Sequence, residues 1–410
     1  MTKILKSNWF SILWIFIALI HSGHLFRTTS VNLIRTIYIA VLFAVIFLIH
    51  ELACRRFKFG TEDILFFISI FMVGFSWYRD AFQVSSFYRM TLSVILFAYF
   101  IVKRYSASQV LKVYMSIMTV TSVIALLGFY LANYTDVLEI LPLYKNSNGI
   151  EYAVAGIFNF IKAVPERNCG MFWEPGLFAT HLCIATVIEL TAKKRANIFR
   201  LILFSVCFVT ANSSAGFVLL FLCVLLFFIR KNTKKEKSRF GKYFVVGIVA
   251  VAVIVLLNLD YILTVTGLSN NQYFEKLMLA NILDSSRIRA IIHNLKLFAS
   301  SPKFGVGYVF AIQNIKHVAD TSTSTFVMSL FGVLGIFYTL AIVFGIFRLK
   351  NVNVLSKFVI LAMAFIIVNK EPHLQNVFTW VLMFYLVRGI PKEESLDKKN
   401  KENTNYAIKN

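Results

Sequence analysis

Arg167-Asn168-Cys169-Gly170-Met171-Phe172-Trp173-Glu174-Pro175-Gly176 is the stretch from which the fold is read. It sets an arginine and a glutamate at the foot of a long apolar run that ends near Leu190. Pro175 suits the first turn of a helix, and Glu174 just before it can cap the free N–H groups there. Roughly 20 apolar residues in a helix cross a bilayer. Apolar runs near that length recur along the whole chain. The predicted fold class is therefore all-α: a polytopic integral membrane protein with about twelve transmembrane helices.

Composition agrees. Of 410 residues, 58% are hydrophobic and only 15% charged, and the mean hydropathy is +0.71. A soluble core of this size does not need so much apolar surface. The expected spans lie near Trp9–Ile20, Ile34–Ile49, Ile64–Trp77 and Met90–Val102. Four more lie near Val110–Leu131, Pro175–Leu190, Ile198–Thr210 and Ala215–Ile229. The last four lie near Tyr243–Leu257, Phe326–Phe347, Val354–Val368 and Val377–Val387. No small-x-small cleavage site follows the first, so it reads as a retained anchor. The chain is one polytopic domain over 1–390, with long outer loops at about 133–174 and 258–322. A polar, charged tail, 391–410, is expected to be disordered.

The net charge of +22 reports topology rather than a nucleic-acid partner. With both termini cytoplasmic, 28 of the Lys and Arg residues fall inside and 14 outside. Nine of those 14 lie in the two long loops, where basic residues have little say in orientation. No cytoplasmic segment is long enough to fold as a nucleotide-binding domain. That argues against an ATP-driven pump on one chain, and against a soluble domain that uses nucleotide-sugars. Of the five cysteines only Cys169 is expected outside the cytoplasm and the membrane, so no internal disulfide forms there. No cysteine spacing resembles a metal site.

The chemistry then belongs to the outer face. Glu174 and His181 are seven residues apart and share a helix face. Glu174 either serves a site or only caps the helix and pairs with Arg167. For His181 the simpler reading is an intramembrane hydrogen bond. In the second loop, Asp284-Ser285-Ser286 starts a helix and Pro302 stops it. Ile288, Ile291, Ile292, Leu295 and Phe298 form its apolar stripe. Arg289, His293 and Lys296 lie on another side. Arg287 points along the stripe, about 200° from Arg289. It either finds a partner, for which a phosphate is natural, or snorkels to water. Gly305 and Gly307, before Tyr308, allow backbone to approach a ligand, though ordinary loops use such glycines too. Arg79, Asp80 and Arg89 flank the third and fourth spans, and Lys370-Glu371-Pro372-His373 joins the last two. Charges so close to apolar spans are functional candidates, or they snorkel.

Arg167-x-x-Gly170-x-Phe172-x-Glu174-Pro175-Gly176-x-Phe178-Ala179 resembles a signature of the O-antigen polymerase (Wzy) and ligase superfamily. Ser285-Ser286-Arg287, the helix after it and Pro302-x-Phe304-Gly305-x-Gly307-Tyr308 are similar to that family's second outer loop. Thr321 to Phe326, leading into Gly332-Val333-Leu334-Gly335, and the turn Thr210 to Gly216 are similar to two further family stretches. The resemblance implies a GT-C-like, metal-independent glycosyltransferase without a cofactor, in a bacterial inner membrane. Its partners would be the bilayer and oligosaccharides on undecaprenyl diphosphate, with a chain-length regulator as a further candidate.

Ligases of the superfamily tend to carry a histidine-asparagine pair where this chain has Thr323-Ser324, which favours a polymerase. The expected reaction extends a glycan on undecaprenyl diphosphate by lipid-linked repeat units. Arg167 and Arg287 would stabilise the leaving diphosphate, and Glu174 would act as base for the acceptor hydroxyl. Arg289, Gly305, Gly307, Tyr308, His181, Arg79 and Arg89 are candidate substrate-binding residues. Two alternatives are an O-antigen ligase and a flippase or transporter for lipid-linked oligosaccharides. A transporter should show internal repeats, and the sequence shows none.

Overall fold

The computed structural model describes residues 8–25, 31–54, 58–146, 149–192, 195–234, 286–314, 321–350 and 352–389. The first half supplies α1 (Asn8–Ile20), α2 (Val31–Ala53), α3 (Thr61–Arg79), α4 (Ser85–Arg104), α5 (Ala107–Tyr134) and the short α6 (Val137–Ile140). Three strands follow: β1 (Leu143–Lys145), β2 (Glu151–Ala155) and β3 (Phe158–Ile161). Then come α7 (Pro175–Thr191), α8 (Ile198–Ala211) and α9 (Ser214–Lys234). The described part of the second long loop holds α10 (Ser286–Ser300) and α11 (Tyr308–Asn314). The chain closes with α12 (Thr323–Phe331), α13 (Val333–Phe347), α14 (Val354–Val368) and α15 (Val377–Arg388).

This is a mostly helical membrane protein. Helices α3, α4 and α5 are long and apolar enough to cross a bilayer, and several shorter apolar helices accompany them. In hydrocarbon every backbone N–H and C=O must be satisfied within the protein, and a helix does this alone. The outer face of α5 shows the consequence. Val120, Ile124, Leu127 and Leu131 recur at helical spacing and are exposed, as residues facing lipid tails should be.

Two helices organise the interior. Helix α4 packs against α2, α3 and α15, while α7 packs against α5, α8 and α9. Large rings fill the space between them; Tyr88, Tyr99, Tyr114 and Trp380 are all fully buried. Connectors expected on one side of the membrane meet one another. Lys103 Nζ donates to Lys58 O at 2.9 Å, and Arg388 Nη1 donates to Val102 O at 3.0 Å. At the other end, Arg79 Nη1 donates to Phe304 O at 2.7 Å.

Three expectations need correction. The fold is not purely helical, because the first long loop carries an antiparallel sheet in the order β1-β2-β3. Its aromatic and β-branched residues suit a half-buried pleated surface. Tyr152, Val154 and Ile161 pack with Leu25 and Cys169 into a small core of their own. The run Phe326–Phe347 is not one helix. It breaks at Gly332, whose φ of +63° and ψ of −138° suit only glycine. A Cβ at Gly332 would also lie 2.6 Å from Pro302 O, so the loop after α10 seats in the break. Third, Glu174 takes the N-cap position of α7, but its side chain makes no capping hydrogen bond. The expected helix at Tyr243–Leu257, the start signal at Asp284-Ser285 and the tail 391–410 lie outside the described residues.

Candidate functional site

The opening motif assembles one end of α7. Arg167 Nε donates to Asn212 O at 3.2 Å, which ties the loop to the turn between α8 and α9. Asn168 reinforces that tie, its N–H donating to Thr210 O at 2.9 Å and its side chain to Thr210 Oγ1 at 3.1 Å. Phe172 stacks on His181, with ring centroids 4.4 Å apart. Pro175 occupies the first turn of α7. Gly176 then leaves the space that the site needs. A Cβ there would lie 2.2 Å from Lys370 Nζ and 3.1 Å from Glu371 Oε1.

Lys370 and Glu371 come from the connector between α14 and α15, which folds over the N-terminus of α7. Both are buried, at 4% and 3% exposure. Lys370 Nζ donates to Ser213 Oγ at 3.1 Å. The α8–α9 turn therefore holds Arg167 through one residue and Lys370 through the next. Thr323 locks the connector from the other side. Its hydroxyl donates to Glu371 O at 2.9 Å and accepts from His373 N at 2.7 Å. Arg287, in the first turn of α10, completes the group. Its Nε donates to Lys370 O at 3.3 Å, and its Nη2 lies 3.8 Å from Glu371 Oε1.

The result is three cations, Arg167, Arg287 and Lys370, around two carboxyl groups, Glu174 and Glu371. All four neighbours act on the Lys370 ammonium. Burial pushes Lys370 down from the usual lysine range, while Glu371 and Glu174 pull it back up. Burial, followed by the charge of Glu174, raises Glu371 to about 8, against Lys370 and Arg287, which lower it. Glu174 stands near enough to Glu371 to favour its protonated form, since a proton on Glu371 relieves the repulsion between two carboxylates. Below this layer His373 stays neutral. Burial lowers it to about 4, and Lys370 adds to the effect.

The remaining predicted residues fall in three places. Arg79 donates through Nη1 to Phe304 O and Gly305 O at 2.7 and 2.6 Å, and Asp80 Oδ2 accepts from the backbone of Tyr308 and Val309. This pair clamps the loop after α10. Gly305 and Gly307 meet protein at close range: a Cβ would lie 2.3 Å from the Leu330 backbone in one case and 2.2 Å from Asp80 Oδ1 in the other. Tyr308 stacks on Phe87 with ring centroids 3.5 Å apart. His181 is buried, and Tyr114 donates to its backbone oxygen at 2.9 Å. Arg89 and Arg289 are exposed, and Arg89 bonds its own helix at Ser85 O.

Residues 199–330 match the family model described as O-antigen ligase (Wzy_C). The match supports the O-antigen ligase and polymerase superfamily and does not choose between its branches. It begins in α8, takes in the α8–α9 turn and ends in α12, so Asn212, Ser213, Arg287 and Thr323 all lie inside it. Arg167, Glu174, Lys370 and Glu371 lie outside. No curated protein and no solved structure matches the chain.

Sequence reasoning grouped Arg167, Glu174 and Arg287, and these do converge. It left Lys370-Glu371 as one charge cluster among several. The usable signal was a glycine directly after Glu174-Pro175, at a helix start where no turn requires one. That glycine marks the space into which the lysine reaches.

Proposed function

We propose that the cluster at the N-terminus of α7 transfers a glycan from a lipid diphosphate to a sugar hydroxyl, extending a polysaccharide by repeat units. One observation carries this reading: three cations, Arg167, Arg287 and Lys370, gather around two neighbouring carboxyl groups where the first loop, the start of α10 and the last connector meet. The acceptor oxygen attacks the anomeric carbon of the growing chain as that carbon's bond to the diphosphate oxygen breaks. The diphosphate leaves with the electron pair, and its charge is met by Arg167, Arg287 and Lys370. The acceptor's proton passes to the carboxyl pair, in its unprotonated state. Glu174 or Glu371 can receive it. Undecaprenyl diphosphate in a bacterial inner membrane is the proposed donor carrier.

A ligase that moves the finished glycan to a lipid A core is the second reading, and the matching family model, described as O-antigen ligase, is compatible with either. Thr323 favours the polymerase. The position where ligases of the superfamily tend to carry histidine is here a buried hydroxyl occupied by two backbone groups. Purified full-length protein in liposomes, supplied with lipid-linked repeat units, tests the choice. A polymerase yields a ladder of glycan lengths. A ligase yields no ladder, and transfers glycan only when a lipid A core is added. Absence of any new glycosidic bond under both conditions would overturn both readings.

A further inference from the structure

A cavity of about 250 Å³ is lined in part by Glu371. At roughly 30 Å³ per water it would take about eight waters, room for a single sugar ring. Phe87, Trp173, Tyr308 and Phe326 supply ring surfaces to its wall, and no arginine or lysine is among the described residues lining it. Glu371 thus meets both the cations of the site and a ring-walled space whose described lining carries none. The chemistry of the wall therefore suits a neutral group. The C–H face of a pyranose rests well on aromatic faces, whose π-clouds are negative.

Two residues on this wall carry polar atoms that make no hydrogen bond. Trp173 Nε1 is a buried donor without a hydrogen-bond partner, and Glu371 Oε1, which pairs with Arg287 Nη2 at 3.8 Å, accepts no hydrogen bond either. Buried polar groups are nearly always paired, so each orphan asks for an explanation. A sugar hydroxyl is both donor and acceptor and can answer either atom.

We infer that this cavity is the subsite for the acceptor's sugar ring, with the attacking hydroxyl donating to Glu371 Oε1 and a second ring oxygen accepting from Trp173 Nε1. The inference rests on the glycan-transfer reading and adds the place of the acceptor. It makes Glu371, rather than Glu174, the carboxyl in contact with the reacting hydroxyl.

The test is equilibrium binding of the repeat-unit oligosaccharide, released from its lipid diphosphate by mild acid, to the purified full-length protein in nanodiscs. Saturable binding is expected. Trp173→Phe, which keeps a ring and removes one donor, should weaken it roughly fivefold. Trp173→Ala should weaken it further. Inorganic pyrophosphate should not displace the sugar, because it would occupy the cations. Undetectable binding to wild type, Trp173→Phe binding as wild type does, or displacement by pyrophosphate would each overturn the inference. Binding as expected from a protein that forms no glycosidic bond in liposomes would sink the transferase reading and leave the sugar subsite standing.

Discussion

At the scale of single residues, the account turns on two neighbouring carboxyl groups, of which Glu371 keeps its proton up to about pH 8. Glu371 is held near 8 by burial and by Glu174. If the unprotonated pair accepts the acceptor's proton, the transfer rate should climb with pH to about 8 and then level. Glu174→Gln removes a neighbour that raises Glu371, so the climb should move to lower pH. Lys370→Met removes a group that lowers it, so the climb should move to higher pH. Pre-steady-state transfer rates at a series of pH values check both shifts, and an unmoved profile in both variants would count against the pair. Stability follows the same linkage. An ordinary glutamate titrates near 4.5, so between there and about 8 Glu371 holds more proton in the folded protein than in the unfolded chain, while His373, lowered from 6.5 to about 4, works the other way below 6.5. Above 6.5, where His373 is neutral in both states, stability should therefore fall as pH rises to about 8, and Glu371→Gln should flatten that slope in thermal unfolding. The sequence made Arg167, Glu174 and Arg287 visible because charges beside apolar runs stand out. It could not show Lys370 and Glu371 as their partners, because that contact depends on how a distant connector folds over Gly176.

At the scale of elements, two kinds of glycine separate site from scaffold. In Gly176→Ala the new Cβ meets the end of a flexible side chain, Lys370 Nζ. The lysine can move aside, so the variant should insert and melt like wild type while losing most transfer. In Gly305→Ala the new Cβ meets the fixed Leu330 backbone at 2.3 Å, at a residue with φ of +72°. That variant should lose about 2 kcal/mol of stability or more, seen as a lower melting temperature in detergent. Equal melting of the two proteins would contradict the assignment. Most helix positions were legible, because apolar runs at bilayer length leave few alternatives. The break at Gly332 was not, since a glycine inside an apolar run reads as tolerated until the loop that fills the break is seen. The sheet between Leu143 and Ile161 was hidden too. Turn signals at Pro142, Asn146 and Gly149 read simply as loop, and the strands between them are short.

At the scale of the whole molecule, everything that makes the site comes from one end of the helical bundle. The first long loop, the α8–α9 turn, the start of α10 and the α14–α15 connector meet there, with the Arg79–Asp80 clamp beside them. If that end is extracytoplasmic, cysteines introduced at Gly149 and Ser300 in a Cys54→Ser background should react with an impermeant maleimide on intact cells. Cysteines at Lys112 and Lys350 should react only after permeabilisation. Labelling of all four from the same side would refute the arrangement. The central claim is that the cluster binds the leaving diphosphate through guanidinium groups, whose planar fork matches two phosphate oxygens as an ammonium cannot. The most direct measurement is the glycan ladder made by purified Arg167→Lys and Arg287→Lys proteins in liposomes, at insertion equal to wild type. The account predicts that each loses transfer on the order of 100-fold, while Arg289→Lys stays near wild type. Near-normal ladders from both Arg167→Lys and Arg287→Lys would contradict it.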